Sequence, residues 1–151
     1  MAVVNIIVHP AENPKKCTIQ HLRGYPGVVF QRFSQEKTFH FPNAFILGVD
    51  GPALSRRDNA MDMVVLDGTW RYAAQMIGAF STLPVRSIQG WRTAYPRVSK
   101  IYQDPDDGLA TIEAIYAAFM IMGKDPQGLL DHYYWKDAFL KLNERQIREH
   151  A

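Results

Sequence analysis

The chain has a single cysteine, Cys17, in 151 residues. That excludes an internal disulfide and any zinc site built from several cysteines. No apolar run approaches the ~18 residues that a membrane-spanning helix needs. The opening MAVVNIIVHP has no basic n-region and no small-residue cleavage site, so a signal peptide is not expected and the expected address is the cytoplasm. Charge of one sign is scarce too: 17 Lys+Arg against 15 Asp+Glu leave a net +2, so the bulk field does not announce a polyanionic partner. The loops GxGxxG, GxxxxGKS/T and GxSxG and the helix motif HExxH are all missing, which removes the commonest dinucleotide, nucleotide, hydrolase and metalloprotease signatures. Ten Gly and nine Pro are ordinary numbers and exclude a collagen-like chain. What is left is one domain, or one domain plus a small extension, with 47% apolar and 21% charged residues. It is long enough to bury roughly two-thirds of its unfolded surface without staples.

Local pattern predicts an α/β fold. Val3–Val8 is a β-branched run that ends at His9-Pro10 and reads as a buried strand. Val28–Phe33 and Asn43–Val49 read as two more, the latter closed by the turn signal Asp50-Gly51-Pro52. Leu54–Ala60 reads as a short helix. Met63–Leu66 is a continuous apolar run of the kind buried on both faces. It stops at Asp67-Gly68, and Thr69 can cap a helix over Trp70–Phe80. Pro84–Ile88 reads as a strand, and residues 89–107 as a long loop of the functional kind. Leu109–Met122 is a helix apolar on nearly every side, hence buried, with Gly123 ending it. Asp125-Pro126 open a last helix, whose Asp137/Lys141 and Glu144/Arg148 pairs support an exposed face. Strands alternating with helices imply a mostly parallel sheet.

Asp67 is the sharpest chemical feature. In open parallel sheets ligands sit beyond the carboxyl ends of strands, and a carboxylate there can grip an ammonium group or a ribose hydroxyl. It can equally cap the following helix beside Thr69. Trp70 and Ala73 share a helical face, as core packing or as the wall of a ligand site. Glu113 falls in the buried helix and needs partners, so loop amides or an arginine are expected to meet it. Cys17 with His9 and His21 is too thin a cluster for a metal, and none is expected. Lys15 and Lys16 lie early. Arg92, Arg97 and Lys100 are interleaved with Trp91, Tyr95 and Tyr102. That mixture suits phosphate contacts with base stacking, or a solvated loop whose aromatics fold back onto the core.

In chain order the segments resemble one family. HPAENPKKCTIQHL (9–22) resembles the "DPKKCT-x-x-x-L" segment of the S-adenosylmethionine-dependent aminocarboxypropyltransferases that modify small-subunit ribosomal RNA. LSRRD (54–58) is similar to their "LSPxD", and VVLDGTW (64–70) to their "VVDCSW" and to the Asp-x-Thr-Trp signature of the DTW-domain transferases acting on tRNA uridine. Leu83-Pro84, Ser99-Lys100, LATIEAIYAAFMIMG (109–123) and GLLDHYYWKDAFLKLN (128–143) resemble "LP", "KLS", "EAxAAALYxxG" and "FxWGxxFLxLN". Two departures stand out. Gly68-Thr69 replaces a Cys-Ser, and Gln89–Tyr95 replaces an "NPVNYG" loop.

The resemblance implies a SPOUT-like α/β fold with a C-terminal trefoil knot, a small N-terminal portion over 1–62 and a cofactor-binding portion over 63–151. It implies transfer of the 3-amino-3-carboxypropyl group of S-adenosylmethionine to a (pseudo)uridine of rRNA or tRNA, releasing methylthioadenosine. Thr18 would hold the cofactor's carboxylate and Asp67 its ammonium, while Trp70 and Ala73 would wall off its methyl group. Leu47, Leu66, Ile88, Gly90, Tyr102 and Thr111 complete the implied cofactor site, and Asp67 is the implied catalytic residue. RNA would approach over Lys15, Lys16, Arg92, Arg97 and Lys100, to a monomer that needs no metal. Two other readings stay open: a SPOUT-type RNA methyltransferase, and a non-enzymatic RNA- or ribosome-binding domain.

Overall fold

A computed structural model describes residues 3–11, 18–67, 70–96 and 108–151. Its frame is an all-parallel, five-stranded sheet: β1 (Val4–Val8), β2 (Val28–Arg32), β3 (Ala44–Ala53), β4 (Asp62–Asp67) and β5 (Val85–Ser87) in the order β2-β1-β4-β3-β5. The described residues also form α1 (Trp70–Met76), α2 (Thr111–Met122), α3 (Lys136–Leu142) and α4 (Glu144–His150). The near-continuous apolar runs of β1 and β4 fit central parallel strands, which must be apolar on both faces. Strands from residues 1–62 and from 63–151 share this one sheet.

Period-two alternation divides the strand side chains between two layers. Val4 and Ile6 of β1, Phe45 of β3 and Met63 and Val65 of β4 point to the layer built by α2 and α3, where they meet Ile112, Ile115, Met122 and Phe139. Ile7, Ile46 and Val64 point the other way, against Met76, Phe80 and Phe33. Each such side chain, fully buried, contributes about 1.5–3 kcal/mol from apolar burial. As its composition predicts, α2 is buried along most of its length.

Three elements depart from the sequence reading, each for a local reason. First, β3 does not stop at Asp50-Gly51-Pro52. The register against β5 shifts between Gly48 and Ala53, so the intervening residues bulge out and the strand resumes. Ser87 holds the bulge: its Oγ donates to the Gly51 carbonyl at 2.9 Å, and its carbonyl accepts from the Leu54 N–H at 2.8 Å. Second, the helix expected over Trp70–Phe80 is α-helical only to Met76 and tightens to a 3-10 turn over Ile77–Phe80, where Gly78 weakens the α ladder. Third, no helix starts at Asp125-Pro126. The Asp125 carboxylate accepts from the Gln127 N–H at 3.0 Å, Gly128 takes φ +87°, and turns lead to α3 at Lys136. The stretch then breaks at Asn143, whose side chain donates to the Phe139 carbonyl at 2.8 Å and competes with the helix ladder. The i,i+4 ion pair on α4 joins Arg145 to Glu149 at 3.4 Å.

The C-terminus of α2 closes as expected, on Gly123 at φ +77°, with the Arg56 guanidinium against it. Arg56 lies where the negative end of the helix favours a cation. We expect Gly123→Ala to cost about 1–2 kcal/mol, because alanine resists that left-handed backbone. Gly78→Ala, with open space around it and no positive φ, should instead raise stability by up to about 1 kcal/mol. Urea midpoints of the two variants measure the contrast.

Candidate functional site at the carboxyl ends of β1 and β4

β1 and β4 are hydrogen-bonded neighbours, with Val8 opposite Asp67. From β1 the chain leads to β2 on one side. From β4 it leads through α1 and across β3 to β5 on the other. The two connections diverge, so this pair of strand ends is the topological switch point, where open parallel sheets bind ligands.

Asp67 ends β4 on the α2 side of the sheet and is 3% exposed. Its Oδ1 accepts from the Thr111 hydroxyl at 3.0 Å. Thr111 is the first residue of α2. The residue before it, Ala110, has no side-chain acceptor to cap the helix. Thr18 fills that role from 94 positions away, its Oγ1 accepting from the Ile112 N–H at 3.2 Å. Thr18, Thr111 and Asp67 therefore converge on the first turn of a 12-residue helix. With its oxygen engaged as acceptor, the Thr18 hydroxyl keeps a proton to donate, and the helix end favours an anion. The Asp67 carboxylate accepts from a cationic donor in a charge-assisted bond. This donor set suits a zwitterion, carboxylate to the Thr18 hydroxyl and the α2 terminus and ammonium to the aspartate.

The loop after β5 is tied to the same helix. Glu113 is fully buried and takes four hydrogen bonds: from the Thr93 hydroxyl (2.6 Å), the Ala94 N–H (2.8 Å), the Ala110 N–H (2.8 Å) and the Tyr133 hydroxyl (2.9 Å). The expectation of loop amides as its partners is met. Asn143, also fully buried, clamps the Arg92 backbone from both sides, accepting from its N–H at 2.7 Å and donating to its carbonyl at 2.9 Å. The Gln146 amide donates to the Gly90 carbonyl. Trp91 packs on Phe139 and Tyr116. Loop residues 90–94 are thus preorganised from α2, α3 and α4.

Of the residues that the resemblance assigns to the cofactor, the structure brings Thr18, Asp67 and Thr111 together. Leu47 and Ile88 are half-buried against the α2-side core. Leu66 packs on the opposite layer, so it meets the Asp67 side only through its backbone. Gly90 is exposed in the pinned loop, with φ +86°. Ala73 is half-buried on α1. Trp70 opens α1, and its side chain lies outside the described residues, as do Lys15, Lys16, Cys17, Gly68, Thr69, Arg97, Lys100 and Tyr102. Arg92 is exposed on a fixed backbone.

Sequence reasoning missed one feature beside the site. His9 lies flat on Tyr72, ring centroids 4.2 Å apart and 9° from parallel. Its Nδ1 accepts from the Ala11 N–H at 3.1 Å, so Nε2 carries the proton and donates to Gln75 Oε1 at 2.8 Å. The pairing depends on β1 lying beside β4, which no local pattern reveals. His21, the other histidine near Cys17 in sequence, donates instead to the Leu129 carbonyl and lies 5.4 Å from His132. Two surface depressions lie away from the cluster. One, of about 320 Å³, is lined by Phe39, Phe41 and Phe80 at the amino end of β3. The other, of about 660 Å³, lies between Tyr116 and the α3–α4 pair.

No protein-family model matches the chain, and no curated protein matches it. Among solved structures the fold is similar to that titled "Structure of the SAM-dependent rRNA:acp-transferase Tsr3 from Vulcanisaeta distributa". The two are 23% identical, with a TM-score of 0.72 over 99% of this chain and 83% of that one. At this identity the likeness is one of fold: an α/β domain on a five-stranded parallel sheet.

Burial, then the adjacent Glu113, pushes the Tyr133 phenol well above its ordinary 10.0. A pKa raised in the folded state leaves stability intact below about pH 10 and drains it above, because the unfolded chain releases the proton first. We expect Tyr133→Phe to cost about 1 kcal/mol at neutral pH through the lost bond. The variant should also decline less than the parent between pH 9.5 and 11. Urea midpoints across that range check it, and parallel declines contradict it.

Proposed function

We propose that this protein transfers the 3-amino-3-carboxypropyl group of S-adenosylmethionine to a uridine or pseudouridine of RNA, with ribosomal RNA the favoured target and tRNA the other. The observation that carries the reading is the convergence of Thr18, Thr111 and Asp67 at the switch point. The donor set suits the amino-acid tail of that cofactor, and the fold neighbour is a SAM-dependent rRNA acp-transferase.

S-adenosylmethionine would supply an activated γ-carbon: the RNA nitrogen would bond to it and lose its proton to solvent, while the carbon's bond to sulfur would break and its electron pair leave with methylthioadenosine. The protein's work is placement, which can supply several kcal/mol of the barrier. Thr18 and the α2 terminus hold the tail's carboxylate, and Asp67 holds its ammonium. Held at that end, the chain of the tail is presented outward, while Trp70 and Ala73 screen the methyl group. Ile88, Gly90 and Tyr102 receive the adenine, Gly90 from the loop that Glu113 and Asn143 pin. Lys15, Lys16, Arg92, Arg97 and Lys100 take the RNA backbone, whose target base must be unstacked to be reached. SPOUT membership, the C-terminal trefoil knot and a monomeric state belong to the same reading. The connection from β5 to α2 that bears on the knot includes residues 97–107, outside the described residues.

The experiment is product analysis with isotope-labelled S-adenosylmethionine and ribosomal RNA. Methylthioadenosine is the expected product. S-adenosylhomocysteine identifies a methyltransferase, and absence of cofactor binding at millimolar concentration overturns the transferase reading and supports the non-enzymatic RNA- or ribosome-binding one. Asp67→Asn, which keeps an acceptor for Thr111, should weaken cofactor binding about tenfold or more on folded protein, the worth of a hydrogen bond to a charged group. Equal affinity in that variant contradicts the assigned role.

A further inference from the structure

Tyr134 is 87% exposed, while the next most exposed large apolar side chain among the described residues, Leu142, is at 49%. It makes one ring contact, with Trp135, centroids 5.0 Å apart and planes 73° apart. Trp135 is the hub of a small aromatic array. Tyr95 meets it edge-on at 5.0 Å and Tyr133 at 5.9 Å. Tyr95 closes the pinned loop that presents Arg92, and Tyr133 is locked to Glu113. The acidic neighbour Asp131 is paired with Lys136 at 3.6 Å, while Asp137 stays exposed. The base of the array is rigid, its outermost ring stands in solvent, and an arginine on a fixed backbone lies three residues from Tyr95.

We propose that Tyr134, on the Trp135–Tyr95 array, is a stacking platform for an unpaired RNA base next to the one modified, with Arg92 taking an adjacent phosphate. The inference rests on the RNA reading above and adds a site to it. At 87% exposure the Tyr134 ring has most of its surface open to a base, and base stacking is tolerant of sequence. A modifying enzyme must hold its target strand open, and a neighbouring base on a platform does this. The pinned Arg92 backbone means that less freedom is lost when the cation meets a phosphate.

The probe is fluorescein-labelled 12-nucleotide oligoadenylate or oligouridylate, titrated by anisotropy at several salt concentrations. Tyr134→Ala should weaken binding about fivefold or more with the salt slope unchanged, because no phosphate contact is lost. Tyr134→Phe and Tyr134→Trp should stay within about twofold of the parent. Arg92→Gln should lower the salt slope by about one. The exposure of Tyr134 makes all its variants expected to fold. Unchanged affinity in Tyr134→Ala overturns the proposal, as does Tyr134→Phe losing as much as Tyr134→Ala, or failure of the parent to bind either oligonucleotide. Cofactor affinity, measured separately on the same proteins, should not move with Tyr134. A parent that binds the oligonucleotides but not S-adenosylmethionine contradicts the transferase reading and leaves the platform standing.

Discussion

The architecture of this protein turns on a carboxylate with no access to solvent. Glu113 sits in the first turn of α2, and leaving it unpaired there would cost several kcal/mol. An ionised carboxylate has about four lone-pair sites, and Glu113 fills them with two donors on each oxygen. Those donors come from the loop after β5, from the residue before α2 and from the turn before α3. One charge therefore ties three separated parts of the chain to one helix end. Saturation also settles its role: with its lone pairs occupied by protein donors, Glu113 organises the site and does not bind a ligand.

Asp67 differs by its place in the sheet. Alternation along β4 turns Met63, Val65 and Asp67 towards α2 and Val64 and Leu66 away, so the last residue of the strand meets the first residue of the helix. The two carboxylates flank the same helix end from different directions. Glu113 belongs to the helix and points into the packed layer. Asp67 comes from the sheet and stands at the rim where strand connections diverge.

Much of the sheet was legible because its central strands are dense in Val, Ile, Leu and Met and are bounded by Pro, Gly and Asp. The buried α2 was legible because few of its residues are polar. The region after Gly123 was not. Asp125-Pro126 is a good helix start by local rule, but the hydrogen bond from Gln127 and the conformation of Gly128 make it a turn. Nor could helical periodicity show that Asn143 would turn its side chain to the Arg92 backbone. At the site, Asp67 was visible as a strand-ending acid, whereas Thr18 and Thr111 entered only through family resemblance. The reason is distance along the chain: the Thr18 bond spans 94 positions and the Asp67 bond 44. The stack of His9 on Tyr72 was hidden for the same reason.

A net charge of +2 and the RNA partner proposed above are compatible if fixed placement substitutes for quantity of charge. A flexible lysine loses about 2 kcal/mol of rotamer freedom when it is held. It also draws little from a surface pair screened by salt. An arginine side chain carries a comparable rotamer entropy, so what a fixed backbone spares is the ordering of the loop itself when the cation is bound. Asn143 provides that immobility for Arg92 through bonds to its backbone N–H and its backbone carbonyl, and Asn143 itself donates to the Phe139 carbonyl. The two buried polar side chains committed to this short loop, Glu113 and Asn143, thereby have a physical reason: they fix the backbone that carries the Arg92 cation.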